Sequence, residues 1–296
     1  MKRNLVFYCH INSDNINLRI KEHLYLLKKY SHVFTGEKII FIAVDKFSPN
    51  TELLKSHFDF LENARISIVL NDEKNRESTY FFQQLFQLKE YSEPDSITFY
   101  AHSKGSTYDN DASKLLPISY NNNYPIFSYQ DNMTIYISKH ILNWITAMYY
   151  FNLENLNKVE ENLKQNLFCG IFRIDYPTVF FDVDWHYTGT FYWFSNRIFD
   201  IKDWYIKSVD RFSTESFPGK ICNIEQSSLS QDLYCDYALH YSQSMYDLRY
   251  DGFWSIIDKI ITGDLLNKYN KLLNEVELMN KDFYKLYYPT DHPFRN

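Results

Sequence analysis

Apolar positions in the first hundred residues follow two alternating patterns. Short continuous apolar runs, typical of buried strands, are separated by segments whose apolar residues recur at helical spacing. The predicted strands are 4–10, 38–45, 65–72 and 96–102, and the predicted helices between them are 15–30, 51–61 and 77–91. Repeated strand–helix units predict a mostly parallel sheet with helices on both faces, which is an α/β fold.

The remaining two thirds of the chain have a less regular pattern. Residues 106–132 are polar and predict a long loop, 137–163 predict a continuous helix, and 170–199, rich in aromatic and β-branched residues, predict two or three strands. We also expect a helix from Glu225 to about Tyr246, and one or two amphipathic helices within 253–288 with a break at Gly263. With no internal repeat or flexible linker, these patterns predict a main domain over 1–250 and a helical extension over 251–296 that packs on it.

Composition narrows the class of protein. A net charge of −6 argues against broad contact with nucleic acid, and 45% hydrophobic residues exclude a disordered chain. Four cysteines without a C-x-x-C pair argue against structural zinc and fit a reducing compartment. No apolar segment is long enough for a signal sequence or a membrane span, so we expect a cytoplasmic protein. The aromatic content of 19% fits either a compositional bias or a sugar-binding surface.

Polar residues follow each predicted strand, where parallel sheets bind their ligands. The residues after the first three strands, expected to hold a nucleoside, are His10, Asn12, Asp45, Asn71 and Asp72. The fourth strand ends in "FYAHSKGST" (99–107), which supplies His102, Ser103, Lys104 and Gly105. This segment is neither a P-loop nor a G-x-G-x-x-G motif. Lys104 is suited to bind a diphosphate as a point charge, with Gly105 turning the chain away. The alternative is a solvated lysine beside a buried, hydrogen-bonded His102.

A second polar segment is "FFDVDWHYTGTFYWF" (180–194). Asp182 and Asp184 form a D-x-D pair, which either holds a divalent cation that bridges two phosphates or is the polar face of a half-exposed strand. The following residues combine small polar groups with flat rings, as a sugar or acceptor site requires. They are His186, Tyr187, Thr188, Gly189, Tyr192 and Trp193.

Together these segments resemble a family of glycosyltransferase-like proteins. Its sequences carry H-[TS]-K-G at a strand end, a tryptophan, an M-x-Y-F helix, a cysteine–glycine pair and H-[FY]-[ST]-G-[NT]-F-[YW]-W. The matching residues, within about 97–200, are His102, Ser103, Lys104, Gly105, Trp144, Met148, Tyr149, Phe151, Gly170, His186, Tyr187, Thr188, Gly189, Phe191 and Trp193. The resemblance implies a GT-A-type (Rossmann-like) fold and transfer of a sugar from a nucleotide-diphosphate-sugar to a glycan or lipid-linked saccharide, as in polysaccharide biosynthesis.

The sequence departs from the family pattern in one respect. GT-A enzymes usually have the metal-binding D-x-D at the end of the strand that here ends in "HSKG", whereas Asp182 and Asp184 come much later in this chain. Either Lys104 and His102 replace the metal, or Mn²⁺ or Mg²⁺ binds at the two aspartates. We favour metal independence, with the aspartates on the acceptor side.

For a transfer that inverts the anomeric configuration, the acceptor-activating base implied by the resemblance is Glu225, near the start of a late helix, where the helix dipole favours an ionised carboxylate. Asp232 is a weaker candidate, and Glu225 as a purely helix-stabilising residue is the alternative. The expected catalytic residues are therefore Glu225 and Lys104. The rival interpretation is a non-catalytic carbohydrate-binding or scaffold protein with the same fold. In either case the C-terminal helices are candidates for homodimer or peripheral membrane contact.

Overall fold

The computed structural model describes ten segments of the chain. They are residues 1–11, 16–46, 50–103, 130–171, 173–174, 183, 185–187, 189–205, 210–221 and 263–279, with only the backbone described for 130–141, 174 and 265. These segments form an α/β structure in which helices flank a mostly parallel, six-stranded sheet. The predicted fold class is confirmed at this level.

The elements follow one another in a strand–helix order as far as the fourth strand. They are β1 (Arg3–Ile11), α1 (Leu18–Lys29), a 3₁₀ turn (Ser31–Val33), β2 (Lys38–Val44), α2 (Thr51–Ser56), β3 (Arg65–Leu70), α3 (Glu77–Tyr91), β4 (Ile97–His102), α4 (Gln130–Leu153), α5 (Leu156–Gln165), β5 (Phe168–Gly170), β6 (Arg173–Ile174), β7 (His186–Tyr187), β8 (Tyr192–Ser195), a 3₁₀ turn (Asn196–Asp200), α6 (Ser213–Ile221) and α7 (Asp264–Met279).

The sheet has the strand order β3-β2-β1-β4-β8-β5. Strands β1 to β4 are parallel, and β8 runs antiparallel to both β4 and β5. The chain moves outward from β1 to β3 and then returns to the other side of β1 as β4. The direction of winding therefore reverses between β1 and β4, and ligands of open α/β sheets bind outside the carboxyl ends of the strands at such a point.

Apolar side chains cover both faces of the sheet. Alternate residues of β1 and β4, such as Leu5 and Phe99, pack with α1 and α4 on one face. The residues between them, such as Val6 and Tyr100, pack with α3 and α6 on the other. Helix α7 joins the first layer, where the Tyr269 hydroxyl donates to the Asn143 carbonyl at 2.9 Å. Because both faces are covered, a ligand site is expected at the strand ends.

The sequence pattern predicts the first half of the chain well and the second half less well. The four parallel strands are confirmed to within two residues at each end, and the observed bounds of α3 equal the predicted ones. Helix α2 is shorter than predicted and ends at Ser56. Among the described residues, four short strands lie within 168–195, where two or three were expected between 170 and 199. Gly263, the predicted break, has φ 64° and directly precedes α7. The helix predicted from Glu225 lies outside the described residues.

The predicted continuous helix 137–163 is wrong in two respects. Helix α4 begins at Gln130, inside the segment predicted to be a loop, and the helical run is broken between α4 and α5. At the break, Asn155 has non-helical angles (φ −117°, ψ 57°), and its carbonyl accepts the first bond of α5 from the Val159 amide at 3.2 Å. Glu154 accepts a hydrogen bond from the Tyr30 hydroxyl at 2.8 Å, which ties the break to the end of α1.

Within the segments described, no helix combines the length and apolar character that crossing a membrane requires.

Candidate functional site at the carboxyl ends of the central strands

Three of the predicted nucleoside-binding residues form one hydrogen-bonded chain across the ends of β1, β2 and β3. His10 Nε2 lies 2.8 Å from Asp45 Oδ1, and Asn71 Nδ2 donates to the same oxygen at 3.1 Å. An ionised carboxylate only accepts, so His10 Nε2 carries the proton in this contact. The Asp45 side chain is 46% exposed. Its carboxylate is therefore a fixed, accessible acceptor at the edge of the sheet.

Asp72 is nearby in sequence but is engaged within its own turn. Its Oδ1 accepts from the amides of Lys74 (2.9 Å) and Asn75 (3.2 Å). Its Oδ2 accepts from Thr79 Oγ1 at 2.6 Å. These hydrogen bonds stabilise the ionised carboxylate and hold the pKa of Asp72 below its usual value, and the bond from Thr79 has the largest effect. The carboxylate shapes the turn that leads into α3, and the nucleoside contact expected of Asp72 stays a prediction.

Ser103 fastens the end of β4 to β1. Its amide donates to the Tyr8 carbonyl at 2.8 Å, and its hydroxyl accepts from the His10 amide at 3.1 Å. Ser103 is buried, and these two bonds make it part of the junction between the strands. The junction lies at the point of reversed winding, and the next residue in the sequence is Lys104.

A buried polar group lies beneath this junction, on the α3 face of the sheet. We call it the Glu77 cluster; its members are Glu77, His102, Tyr8 and Tyr100. His102 is opposite Tyr8 in the β1–β4 register, and its Nδ1 lies 3.4 Å from Glu77 Oε1. Tyr8, Tyr100 and His102 are 2%, 0% and 6% exposed. The two phenol hydroxyls and His102 Nε2 have no hydrogen-bond partner among the described residues.

Electrostatics keep both phenols of the cluster neutral. Burial raises the pKa of Tyr8 and Tyr100 well above the usual value of a tyrosine, and the charge of Glu77 shifts both in the same direction. Both hydroxyls therefore keep their protons near neutral pH and remain hydrogen-bond donors. The cluster combines two neutral donors, an imidazole and a carboxylate at the point where the topology predicts a ligand.

Tyr192 and Trp193, which were expected in a sugar site, are core residues. Both are 0% exposed. The Tyr192 hydroxyl donates to the Thr214 carbonyl at 3.0 Å, and Trp193 Nε1 donates to the Asn152 carbonyl at 2.8 Å. Their strand, β8, lies between β4 and β5 with both faces covered, so successive side chains are buried on opposite sides. Neither ring has a face open to a sugar.

Gly189 allows a close approach, but the neighbour is the protein itself. Its φ is 94°, and an added Cβ would lie 2.8 Å from Met148 Sδ and 2.9 Å from Trp144 Cζ2. Its amide donates to Glu215 Oε1 at 3.2 Å. His186, in β7, is also buried. The segment therefore packs against α4 and α6, and the room expected for a sugar at Gly189 is filled by side chains of α4.

The segments that carry the family resemblance meet around Phe191. Its ring centroid lies 5.2 Å from that of Tyr149 and 6.1 Å from that of His102. The same ring is 6.1 Å from His23 of α1. The matching residues of β4, α4 and the approach to β8 thus share one core behind the strand ends. Many of the residues that match the family pattern are therefore core residues that pack behind the strand ends.

Glu77, Tyr8, Tyr100 and Glu215 were not selected from the sequence. One signal in the sequence could have identified Glu77. It is the first residue of a predicted helix that follows a predicted strand, and this position lies at the ligand end of the sheet. The two tyrosines stand within apolar strand patterns and look like ordinary core positions. Only the structure shows that both lie near one carboxylate.

The other predicted site residues lie outside the described segments: Asn12, Lys104, Gly105, Asp182, Asp184, Thr188, Glu225 and Asp232. Within those segments, no group of three or more His, Cys, Asp or Glu side chains is placed to hold a metal ion.

Comparison of the chain with protein-family models, with curated proteins and with solved structures gives no match. The glycosyltransferase resemblance therefore depends on the quoted segments.

Proposed function

We propose that this protein is a GT-A-type glycosyltransferase that transfers a sugar from a nucleotide-diphosphate-sugar to a glycan or lipid-linked saccharide. The observation that carries the proposal is the reversal of winding between β1 and β4, whose carboxyl ends carry His10, His102 and Ser103. Lys104 follows directly in the sequence. In open α/β sheets this is the position at which nucleotides bind.

The nucleoside half of the donor is assigned to the chain of His10, Asp45 and Asn71. Asp45 Oδ1 already accepts from both neighbours, and its side chain is exposed. A carboxylate held this way accepts hydrogen bonds from sugar hydroxyls or base N–H groups. Because the geometry is set in advance, less ordering is required on binding.

The diphosphate half is assigned to Lys104, assisted by His102. If the transfer inverts the anomeric configuration, the acceptor oxygen attacks the anomeric carbon, the bond from that carbon to the diphosphate oxygen breaks, and the acceptor proton goes to a base, proposed to be Glu225. Negative charge accumulates on the leaving diphosphate, and cationic side chains beside it stabilise the transition state. On this proposal Lys104 and His102 supply that charge. The acceptor side is assigned to Asp182, Asp184 and Thr188.

Donor binding is the direct test. We would record melting curves with UDP-, GDP-, CMP- and dTDP-sugars, each with Mn²⁺ and with EDTA, and then titrate the best donor by calorimetry. A donor at about 100 times its Kd adds about 2.7 kcal/mol to the free energy of unfolding. Lys104→Ala should keep the melting temperature and weaken donor binding about 10-fold or more, because a charged phosphate contact is lost. Lys268→Ala, an exposed lysine on α7, is the matched control.

Three outcomes would contradict parts of the proposal. If no donor raises the melting temperature, the donor site is wrong. If donor binding is lost with EDTA and restored by Mn²⁺, the metal-independent assignment is wrong. If a donor binds but neither transfer to saccharide acceptors nor donor hydrolysis is detected, the non-catalytic carbohydrate-binding protein replaces the enzyme.

A further inference from the structure

The two ring nitrogens of His102 have different surroundings. Nδ1 lies 3.4 Å from Glu77 Oε1, with side-chain exposures of 8% and 15% for the two residues. Nε2 is buried and has no hydrogen-bond partner among the described residues. Because an ionised carboxylate cannot donate, the contact favours a proton on Nδ1. Nε2 is then the nitrogen that remains for another group.

An unusual turn sets the position of Glu77. The residue before it, Arg76, has φ 51° and ψ −129°, a conformation that non-glycine residues rarely adopt. Its amide donates to the Asp72 carbonyl at 2.7 Å, and the Asp72 carboxylate accepts from Thr79 Oγ1 at 2.6 Å in the first turn of α3. This turn around Asp72 keeps the strained residue in place and fixes where α3, and therefore Glu77, begins.

The start of α3 is also held from the side of α6. Ser78 Oγ donates to the Arg211 carbonyl at 3.1 Å and accepts from the Thr214 amide at 3.4 Å. Ser78 is fully buried. Glu77 is therefore fixed between two anchored neighbours, and supporting contacts of this kind hold an orienting side chain in its working geometry.

The buried Nε2 of His102 is expensive to leave without a partner. An unsatisfied buried polar atom costs about 1–3 kcal/mol. Native proteins retain such atoms where a ligand, an ion or a water molecule supplies the missing bond. Since His102 precedes Lys104 by two positions at the point of reversed winding, an oxygen of the proposed diphosphate is a chemically matched partner.

We propose that Glu77 is a positioning residue for His102. Glu77 holds Nδ1–H and stabilises the imidazolium that forms when Nε2–H donates to a diphosphate oxygen. Among the described residues, the titratable groups near the ring are Glu77 of α3, Tyr8 of β1 and Tyr100 of β4, and both phenols stay neutral. The ligand half of this inference rests on the proposed function. The orientation of the imidazole by Glu77 does not.

The first measurement needs no ligand. Long-range ¹⁵N–¹H NMR on imidazole-labelled protein reports which ring nitrogen of His102 carries the proton, with His102→Gln used to assign the signals. We expect the Nδ1–H form in the wild type and in Glu77→Gln, whose amide oxygen still accepts, and a mixture of tautomers in Glu77→Ala. An unchanged tautomer in a folded Glu77→Ala protein would overturn the positioning role.

The second measurement uses inorganic pyrophosphate, UDP and GDP as probes in calorimetric titrations. Glu77→Gln should weaken their binding about 10-fold at neutral pH, because the imidazolium loses its counter-charge. Glu73→Gln, which removes the same charge from an exposed position earlier in the same turn, should leave binding unchanged. The double variant Glu77→Gln/His102→Gln should bind no more weakly than His102→Gln, since the two residues act through one contact.

Additive losses in the double variant would overturn the coupling between Glu77 and His102. If the wild type binds none of the three probes while the tautomer still depends on Glu77, the diphosphate half of the inference fails together with the proposed donor site, and the positioning role stands. If the probes bind with equal affinity to the wild type and to Glu77→Gln, the donor site stands and the imidazolium role is overturned.

Discussion

The two ends of the central sheet differ in whether their buried polar groups have hydrogen-bond partners among the described residues. At the amino end, Asn4, Ser96, Thr98 and Asn196 are at most 2% exposed and bond to one another. Asn4 Nδ2 donates to Ser96 Oγ at 2.8 Å, Thr98 Oγ1 donates to Asn196 Oδ1 at 2.7 Å, and Asn196 Nδ2 donates to Ser96 Oγ at 2.8 Å. This network joins β1, β4 and the end of β8, so it helps to fix their register.

At the carboxyl end, Tyr8, Tyr100 and His102 of the Glu77 cluster are also buried, but their polar atoms are not satisfied in the same way. The hydroxyls of Tyr8 and Tyr100 and Nε2 of His102 have no partner within the described part of the chain. A fold gains nothing from such groups, because each costs about 1–3 kcal/mol. The described residues therefore satisfy the buried polar groups at the amino end, whereas at the carboxyl end they leave these three atoms without a hydrogen bond, a departure that is typical of functional sites.

The largest effect is expected at the amino end. Asn196→Ala should lower the free energy of unfolding by about 3 kcal/mol, because it leaves the hydroxyls of Thr98 and Ser96 buried with fewer partners. Urea denaturation followed by circular dichroism measures the change. Asn267→Ala, on the exposed side of α7, is the control and should change stability by less than about 0.5 kcal/mol. If Asn196→Ala lowers the free energy of unfolding by less than about 1 kcal/mol, the network at the amino end contributes little to stability, and the two ends do not differ as we propose.

A matched pair of tyrosines tests the carboxyl end. Tyr100 and Tyr192 are opposite each other in the β4–β8 register, and both are fully buried. Of the two, only the Tyr192 hydroxyl has a hydrogen bond among the described residues, to the Thr214 carbonyl at 3.0 Å. Tyr100→Phe should therefore raise the free energy of unfolding by about 1 kcal/mol, whereas Tyr192→Phe should lower it by about 1 kcal/mol.

The same denaturation experiment measures both tyrosine variants, and the sign of the difference separates the two ends of the sheet. Equal losses for the two variants would mean that the Tyr100 hydroxyl has a partner after all, and the carboxyl end would then resemble the amino end. A stabilised Tyr100→Phe protein that also binds donor more weakly would link the unsatisfied hydroxyl to function.

The parallel half of the fold could be predicted because each element has its own local signal. The run "KIIFIAV" is almost entirely apolar and is bounded by polar residues, and α3 begins at Glu77 directly after a turn-forming segment. The break between α4 and α5 has no comparable signal, since Asn155 takes non-helical angles within a helical pattern and the contact of Glu154 with Tyr30 joins residues far apart in the sequence. The grouping of His10, Asp45 and Asn71 followed from parallel topology alone.

The errors at the site have a common physical cause. Trp193 and Gly189 belong to a sequence pattern that suits a sugar site, but exposure depends on which strands flank β8, and that is a property of topology. The role of Glu77 depends on a contact with His102 that joins two different elements, α3 and β4. Sequence patterns reveal the element on which a side chain lies, and contacts across elements reveal what it does.

The smallest effect is expected at Arg76, which links the strain of the carboxyl end to its proposed purpose. Its φ of 51° with ψ −129° suits glycine and is unfavourable for other residues. Arg76→Gly should therefore raise the free energy of unfolding by about 0.5–1 kcal/mol, measured by urea denaturation. Asn63→Gly, at φ 58°, is the control and should gain less, because asparagine tolerates a positive φ. If Arg76→Gly instead destabilises the protein, the turn is not strained in the native state. If it stabilises the protein and keeps the Nδ1–H tautomer of His102, the contacts of Asp72 alone are sufficient to hold Glu77 in place.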